Sequence, residues 1–191
     1  MLVLASSSPR RIRLLEEWGY RFHCISPQVS EELAAGLSPE AGVRLLAERK
    51  AAAGTELWRQ NRGAENDVVI GADTMVVLDG QALGKPATVR EAEEMLEKLS
   101  GVSHQVLTGF TLRRLNGDSE SAVVATMVRF RKLSNSELEE YAASGEPMDK
   151  AGAYAIQGEA RKFVESFEGS LTNVIGLPME YLSERLRAWG I

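Results

Sequence analysis

The chain has 191 residues, 44% hydrophobic and 26% charged, enough for the core of one ordinary domain with two lobes around a cleft. A net charge of −5 excludes general attraction to a nucleic-acid backbone, and the single cysteine, Cys24, excludes an internal disulfide and suits a reducing compartment. No apolar run reaches membrane-span length, and the short apolar start before "SSSPRR" does not read as a signal peptide, so a cytoplasmic enzyme or binding protein is expected.

Met1 to Ala5 reads as a buried strand, followed by Ser8 as a helix N-cap and Pro9 at the first helical position. In "RRIRLLEEWGY" the spacing puts Ile12, Leu15 and Trp18 on one stripe, with Gly19 as the stop. A second helix is expected from Ser38 and Pro39 to near Gly54. "DVVIGADTMVVLDGQALGKP" is β-rich, with Asp79-Gly80 as a hairpin turn. Thr88 and Glu91 form a capping-box pattern before "VREAEEMLEKLSG". Two long strands then meet at Asn116-Gly117, and Ser134 and Glu137 repeat the capping pattern before a helix ending near Gly145. A short β-rich stretch around "YAIQGEARKFVES" and a last helix from Pro178 complete a mixed α/β pattern without repeats or linkers.

Arg10 and Arg11 stand where the positive end of a helix dipole disfavours them. A strand, a serine-rich turn and a helix N-terminus make an anion site, and a bound phosphate would hold both guanidinium groups. The alternative is a capped surface helix with outward arginines. Lys50 shares a helix face with Val43, Leu46 and Ala47, so it either snorkels to water or projects into a cleft. Asp73, between two apolar runs, calls for a cation, hydrogen-bond donors or a metal, unless it closes a turn beside Gly71. Glu31 and Glu32 add carboxylate or simply face water; carboxylates beside phosphate would suit Mg²⁺. "GQALGKP" lacks the spacing of a phosphate loop, His23 and His104 show no zinc spacing, and no serine sits in a nucleophile elbow.

"LASSSPRR", "GADTMVVLDGQALGKP", "SGVSHQVLTGF", "SGEPMDKAGAYAIQG" and "GSLTNVIGLP" resemble, in order, the blocks of the Maf family of nucleoside triphosphate pyrophosphatases, over nearly the whole chain. The resemblance implies a fold similar to that of inosine triphosphate pyrophosphatases: one domain over residues 1–191, with a curved mixed β-sheet, flanking helices and a central cleft. It implies hydrolysis of a nucleoside triphosphate to the monophosphate and pyrophosphate with a divalent metal, Mg²⁺ or Mn²⁺, and a homodimer. By position, Ser6, Ser8, Arg10 and Arg11 form the phosphate loop, and Lys50 and Lys85 contact phosphates. Asp73 is the base or metal-linked carboxylate, and Glu31 matches the family's loop carboxylate, with Glu32 its competitor.

"DKAGAYAIQG" resembles the branch acting on dTTP and UTP, in which Arg10, Thr74 and Gln157 occupy the positions tied to substrate choice. An amide such as that of Gln157 matches the N3–O4 edge of uracil or thymine, and flipped it also suits cytosine. Two alternatives accompany this expectation. One is the same reaction on 7-methylguanosine triphosphate or modified pyrimidine nucleotides; the other is a nucleotide-binding regulator of septum formation with little turnover.

Overall fold

Leu2 to Ala5 are all buried, and they form strand β1 (Leu2–Ala5), second from one edge of a seven-stranded sheet. This computed structural model describes residues 1–61 and 63–191. The remaining elements follow as α1 (Pro9–Glu17), β2 (Phe22–Ile25), α2 (Pro39–Gln60), β3 (Val68–Leu78), β4 (Gln81–Leu83) and α3 (Val89–Leu99). After them come β5 (Ser103–Arg114), β6 (Ser119–Phe130), α4 (Asn135–Ala143), β7 (Val164–Glu168), α5 (Leu171–Ile175) and α6 (Met179–Ala188). The strand order is β2-β1-β3-β5-β6-β7, with β4 paired to β3; β1 runs parallel to β2 and β3, and the other pairs are antiparallel. The mixed sheet flanked by helices agrees with the sequence expectation.

The three longest strands each serve two hydrophobic cores. On β3, Val68, Ile70 and Ala72 join a core with α1 and α6, whereas Val76 joins a second core with α3 and α4. Phe110 and Val106 divide β5 in the same way. Asp73, Thr74 and Thr108 fall between the two cores.

Local chemistry explains most of the boundaries. Asp79 and Gly80 both take positive φ, 50° and 76°, as a tight turn between β3 and β4 requires. Ser134 and Glu137 form the expected capping box. At α3 the box is incomplete: Thr88 accepts from Glu91 N–H, but Glu91 reaches past it to the N–H of Ala87.

Some expectations are corrected. Trp18 is 41% exposed at the end of α1, and Leu14 and Leu15 are its buried residues, because the helix stops before the stripe completes another turn. Gly54 does not end α2, which continues to Gln60. A Cβ at Gly54 would sit 2.6 Å from Ala5 Cβ and 3.0 Å from Val69 Cγ1, so this glycine lets the helix approach the sheet closely. The segment from Tyr154 to Gly158 forms no strand; 3-10 turns flank it, and only β7 is extended. Asp73 lies within β3 rather than at a turn.

Candidate active site

Helix α2 lies against β3 and β5 because two strand residues opposite it have no side chain. A Cβ on Gly71 would collide with the backbone of Ala47 and Ala51, and one on Gly109 would sit 2.6 Å from Val43 O. That approach brings Lys50 over β3. Its Nζ donates to Asp73 Oδ1 at 2.6 Å and to Glu31 Oε1 at 2.8 Å. Lys50 and Asp73 are mostly buried, whereas Glu31 is half in water. The bond from Lys50 and its charge hold the Glu31 carboxyl below its ordinary range, so Glu31 is ionised at neutral pH.

The two adjacent acidic residues have different surroundings. Arg49 Nη1 donates to Ser30 O at 3.1 Å and Glu32 O at 2.6 Å, fixing the loop by its backbone. Glu31 then faces the cleft, and Glu32 lies outside its lining.

The two arginines have different surroundings. Arg11 donates from Nε to Gly176 O at 3.0 Å, from Nη1 to Ser6 Oγ at 3.4 Å and from Nη2 to Thr74 Oγ1 at 3.1 Å. Burial pushes its pKa down, opposed chiefly by Asp73, but a guanidinium remains a cation. Arg10 makes no hydrogen bond or ion pair among the described residues, and its side chain faces the cleft. Ser8 occupies the N-cap position of α1 without a side-chain cap, so its hydroxyl is left for the cleft.

Thr74 belongs to a directed chain of hydroxyls. Thr108 Oγ1 donates to Asn173 O at 2.9 Å, so in its 3.0 Å contact with Thr74 it must accept. Thr74 therefore donates inward and presents only lone pairs to Arg11 and the cleft.

Lys85 follows β4 in a loop held by Gly152 N–H to Gly84 O at 3.0 Å. Gln157 sits in a turn anchored by Glu146, whose carboxylate accepts from Tyr141 Oη at 2.9 Å and Glu159 N–H at 3.3 Å. A side chain at residue 158 would collide with that carboxylate, which is why Gly158 stands there.

One cleft of 480 Å³ thus gathers Asp73, Glu31, Lys50, Lys85, Ser8, Arg10, Arg11, Thr74 and Gln157. Ser6 lines an adjoining chamber instead. Asp149 and Lys150 also line the cleft, and sequence reasoning missed them as site residues. Their adjacency in "SGEPMDK" was the available signal; Lys150 Nζ donates to Asp149 Oδ1 at 2.5 Å and Glu146 O at 2.7 Å. His104 is structural: it contacts Tyr154 Oη at 2.8 Å, and burial lowers its pKa to about 4. His23 stacks on Trp58.

A family model described as "Maf-like protein" matches residues 1–189. The chain belongs to the Maf family. A dTTP/UTP pyrophosphatase of Desulfitobacterium hafniense is 53% identical over 191 residues, covering 100% of this chain and 86% of that protein. A Vibrio cholerae protein of the same name is 49% identical over 178 residues, covering 93% and 92%. A solved nucleoside-triphosphatase / dITP/XTP pyrophosphatase of Mycobacterium abscessus aligns over 99% of this chain and 95% of that one, at 14% identity and a TM-score of 0.41. In this Maf chain the cations converge on a cleft that also holds the carboxylates of Glu31, Asp73 and Asp149, an arrangement suited to a polyanion and an activated water.

Arg10→Ala should keep the fold, since the side chain contributes to no core cluster. Losing a charge-assisted contact costs about 1.5–3 kcal/mol, or about 10- to 150-fold in kcat/KM. Steady-state kinetics with dTTP check this, and unchanged values would remove Arg10 from phosphate binding.

Proposed function

We propose that the chain hydrolyses dTTP and UTP, together with modified pyrimidine triphosphates, to the monophosphate and pyrophosphate. The observation that carries this reading is Lys50 bridging Asp73 and Glu31 in the same cleft as Arg10, Arg11 and Lys85. The names of the relatives supply the substrates.

Water attacks the α-phosphorus in line while pyrophosphate leaves, so positioning and charge neutralisation dominate. One Asp73 oxygen is held by Lys50, which leaves the other to orient water and accept its proton. Arg10, Arg11, Lys50 and Lys85 neutralise phosphate oxygens, with Ser6 and Ser8 completing the loop. Arg10, Thr74 and Gln157 select the base: Thr74 offers an acceptor only, and the Gln157 amide offers both a donor and an acceptor.

The donor set fits a hydrated Mg²⁺ or Mn²⁺. Glu31 keeps an oxygen not engaged by Lys50 that would hold the ion, and the free Asp73 oxygen would face its retained waters, since a small hard cation takes few carboxylates and keeps several waters. Such an ion supplies charge for the polyphosphate. The exposed free thiol of Cys24 supports residence in the cytoplasm, and the family resemblance supports a homodimer.

A panel of triphosphates assayed for pyrophosphate release tests the proposal. Release should be fastest with dTTP and UTP, stop on chelation and return with Mg²⁺. Gln157→Ala should lower the ratio of kcat/KM for these over purine triphosphates. No release from any triphosphate would overturn the reading in favour of a binding protein.

A further inference from the structure

The wall of the cleft that carries Gln157 belongs to neither the sheet nor an α-helix. Residues 154–158 join two 3-10 turns, and Tyr154, Ala155, Ile156 and Gln157 all line the cleft. A hydrogen bond from Gly158 N–H to Ala155 O at 3.0 Å closes a turn with Gln157 at its third position. The Gln157 side chain is exposed and makes no hydrogen bond among the described residues. Its direction is therefore set through its backbone.

That backbone has three anchors. Before the turn, Tyr154 Oη meets His104 Nε2 at 2.8 Å, and within it Ile156 packs into the core shared with α1 and α6. After the turn the anchor is Glu146. Its Oε2 accepts from Glu159 N–H at 3.3 Å and its Oε1 from Tyr141 Oη at 2.9 Å. Tyr141 is buried on α4, and burial together with the Glu146 carboxylate pushes its phenol up, so it stays a donor. Gly158 completes the fit. Its φ of −97° is open to any residue, so what glycine provides is room, because a methyl group would collide with the Glu146 carboxylate. The carboxylate pairs with no cation among the described residues; both of its bonds come from neutral donors, one on α4 and one just past Gln157. Glu146 O also accepts from Lys150 Nζ at 2.7 Å, so the same residue holds a cation of the cleft wall.

We propose that Glu146 is a positioning residue for base selection, clamping the turn at 155–158 to α4 and so aiming the Gln157 amide at the pyrimidine edge, an inference that rests on the pyrophosphatase reading and on Gln157 as a reader of the base. Tyr141 acts through Glu146, and neither side chain lines the cleft. An amide matches the donor and acceptor of a base only in one orientation, so a turn that rotates loses the match before it loses the phosphates.

The test measures kcat and KM for dTTP and dGTP with Mg²⁺ in the full chain. The variants are Glu146→Gln, Tyr141→Phe, Gln157→Ala and the two doubles that add Gln157→Ala. Glu146→Gln keeps the shape but turns an NH₂ towards one of the two donors, and Tyr141→Phe removes one donor while keeping the ring in its core. Melting temperatures show which chains fold; if Glu146→Gln does not, Tyr141→Phe decides. Each single change should lower the dTTP to dGTP ratio of kcat/KM by about 3- to 10-fold, chiefly through a higher KM for dTTP. In the Gln157→Ala background the same changes should leave that ratio within about twofold, because their effect passes through the amide. A structural role alone would lower the melting temperature and scale both nucleotides equally. An unchanged ratio in folded single variants, or an equal fall with and without Gln157, would overturn the positioning role and leave the reaction standing. Wild-type discrimination in Gln157→Ala would overturn the positioning role together with the base reading. A wild type that releases no pyrophosphate from dTTP would overturn the pyrophosphatase reading beneath both.

Discussion

Asp73→Asn is expected to lower pyrophosphate release from dTTP by about 10²–10⁴-fold while the chain stays folded. The amide keeps the shape of the side chain, and its oxygen can still accept from Lys50. What it loses is the negative charge and the basicity that draw a proton from water. Lys50 also keeps Glu31 at 2.8 Å, so no buried ammonium is left unpaired. The contacts from Arg10, Lys50 and Lys85 survive, and removing a carboxylate that repels phosphate should hold or tighten dTTP affinity. Melting temperature, dTTP affinity and turnover on one preparation separate this from a structural aspartate, which would lose stability and keep its activity per folded molecule. Near-normal turnover in folded Asp73→Asn would end the catalytic role.

Gly71→Ala is the other change with a large expected effect, although residue 71 has no chemistry to contribute. Its new methyl group would land on the backbone of α2 at Ala47 and Ala51, where no side chain can swing aside. Overpacking a core costs about 1–3 kcal/mol, and a collision with two backbone positions belongs at or above the upper end. For a chain of this size about 3 kcal/mol corresponds to a fall of about 6–12 °C in melting temperature. The helix that moves carries Lys50, so kcat should fall with stability even in the cold, where the protein remains folded. A wild-type melting curve for Gly71→Ala would show that α2 does not rest on this strand as described.

Asp73 and Lys50 were legible because each broke a pattern. A carboxylate between apolar runs and a lysine on an apolar helix face are both expensive unless they meet a partner. That they meet each other was not legible, since the encounter depends on how closely a helix approaches a sheet. Gly71, Gly109 and Gly54 set that approach, and in sequence a glycine reads first as a turn or a stop. Gly54 was read so, and α2 was expected to end there. Glu31 and Glu32 could not be separated from their own spelling; Arg49, on a different element, orients the loop. The stripe ending at Trp18 failed for a simpler reason: Trp18 still bonds Leu14 O but is the C-cap of α1, one residue past the helix, and its side chain stays exposed. β2 went unread because, unlike the equally short β1, it is an edge strand with no fully buried residue, and the five residues of α5 leave too short a helical pattern.

Because β3, β5 and β6 each run through both hydrophobic cores, no flexible tether joins the two walls of the cleft. The walls can approach only as far as three hydrogen-bonded strands will twist together, so the sheet behaves as a leaf spring rather than a hinge. Most of the cavity's shape is therefore set before any nucleotide arrives, and little ordering entropy remains to oppose capture. Adjustment to the ligand falls to the segments that hang from the spring: residues 26–37 with Glu31, and residues 84–88 with Lys85. Amide hydrogen exchange should accordingly slow in those two segments when nucleotide binds, and stay level along the strands beneath them.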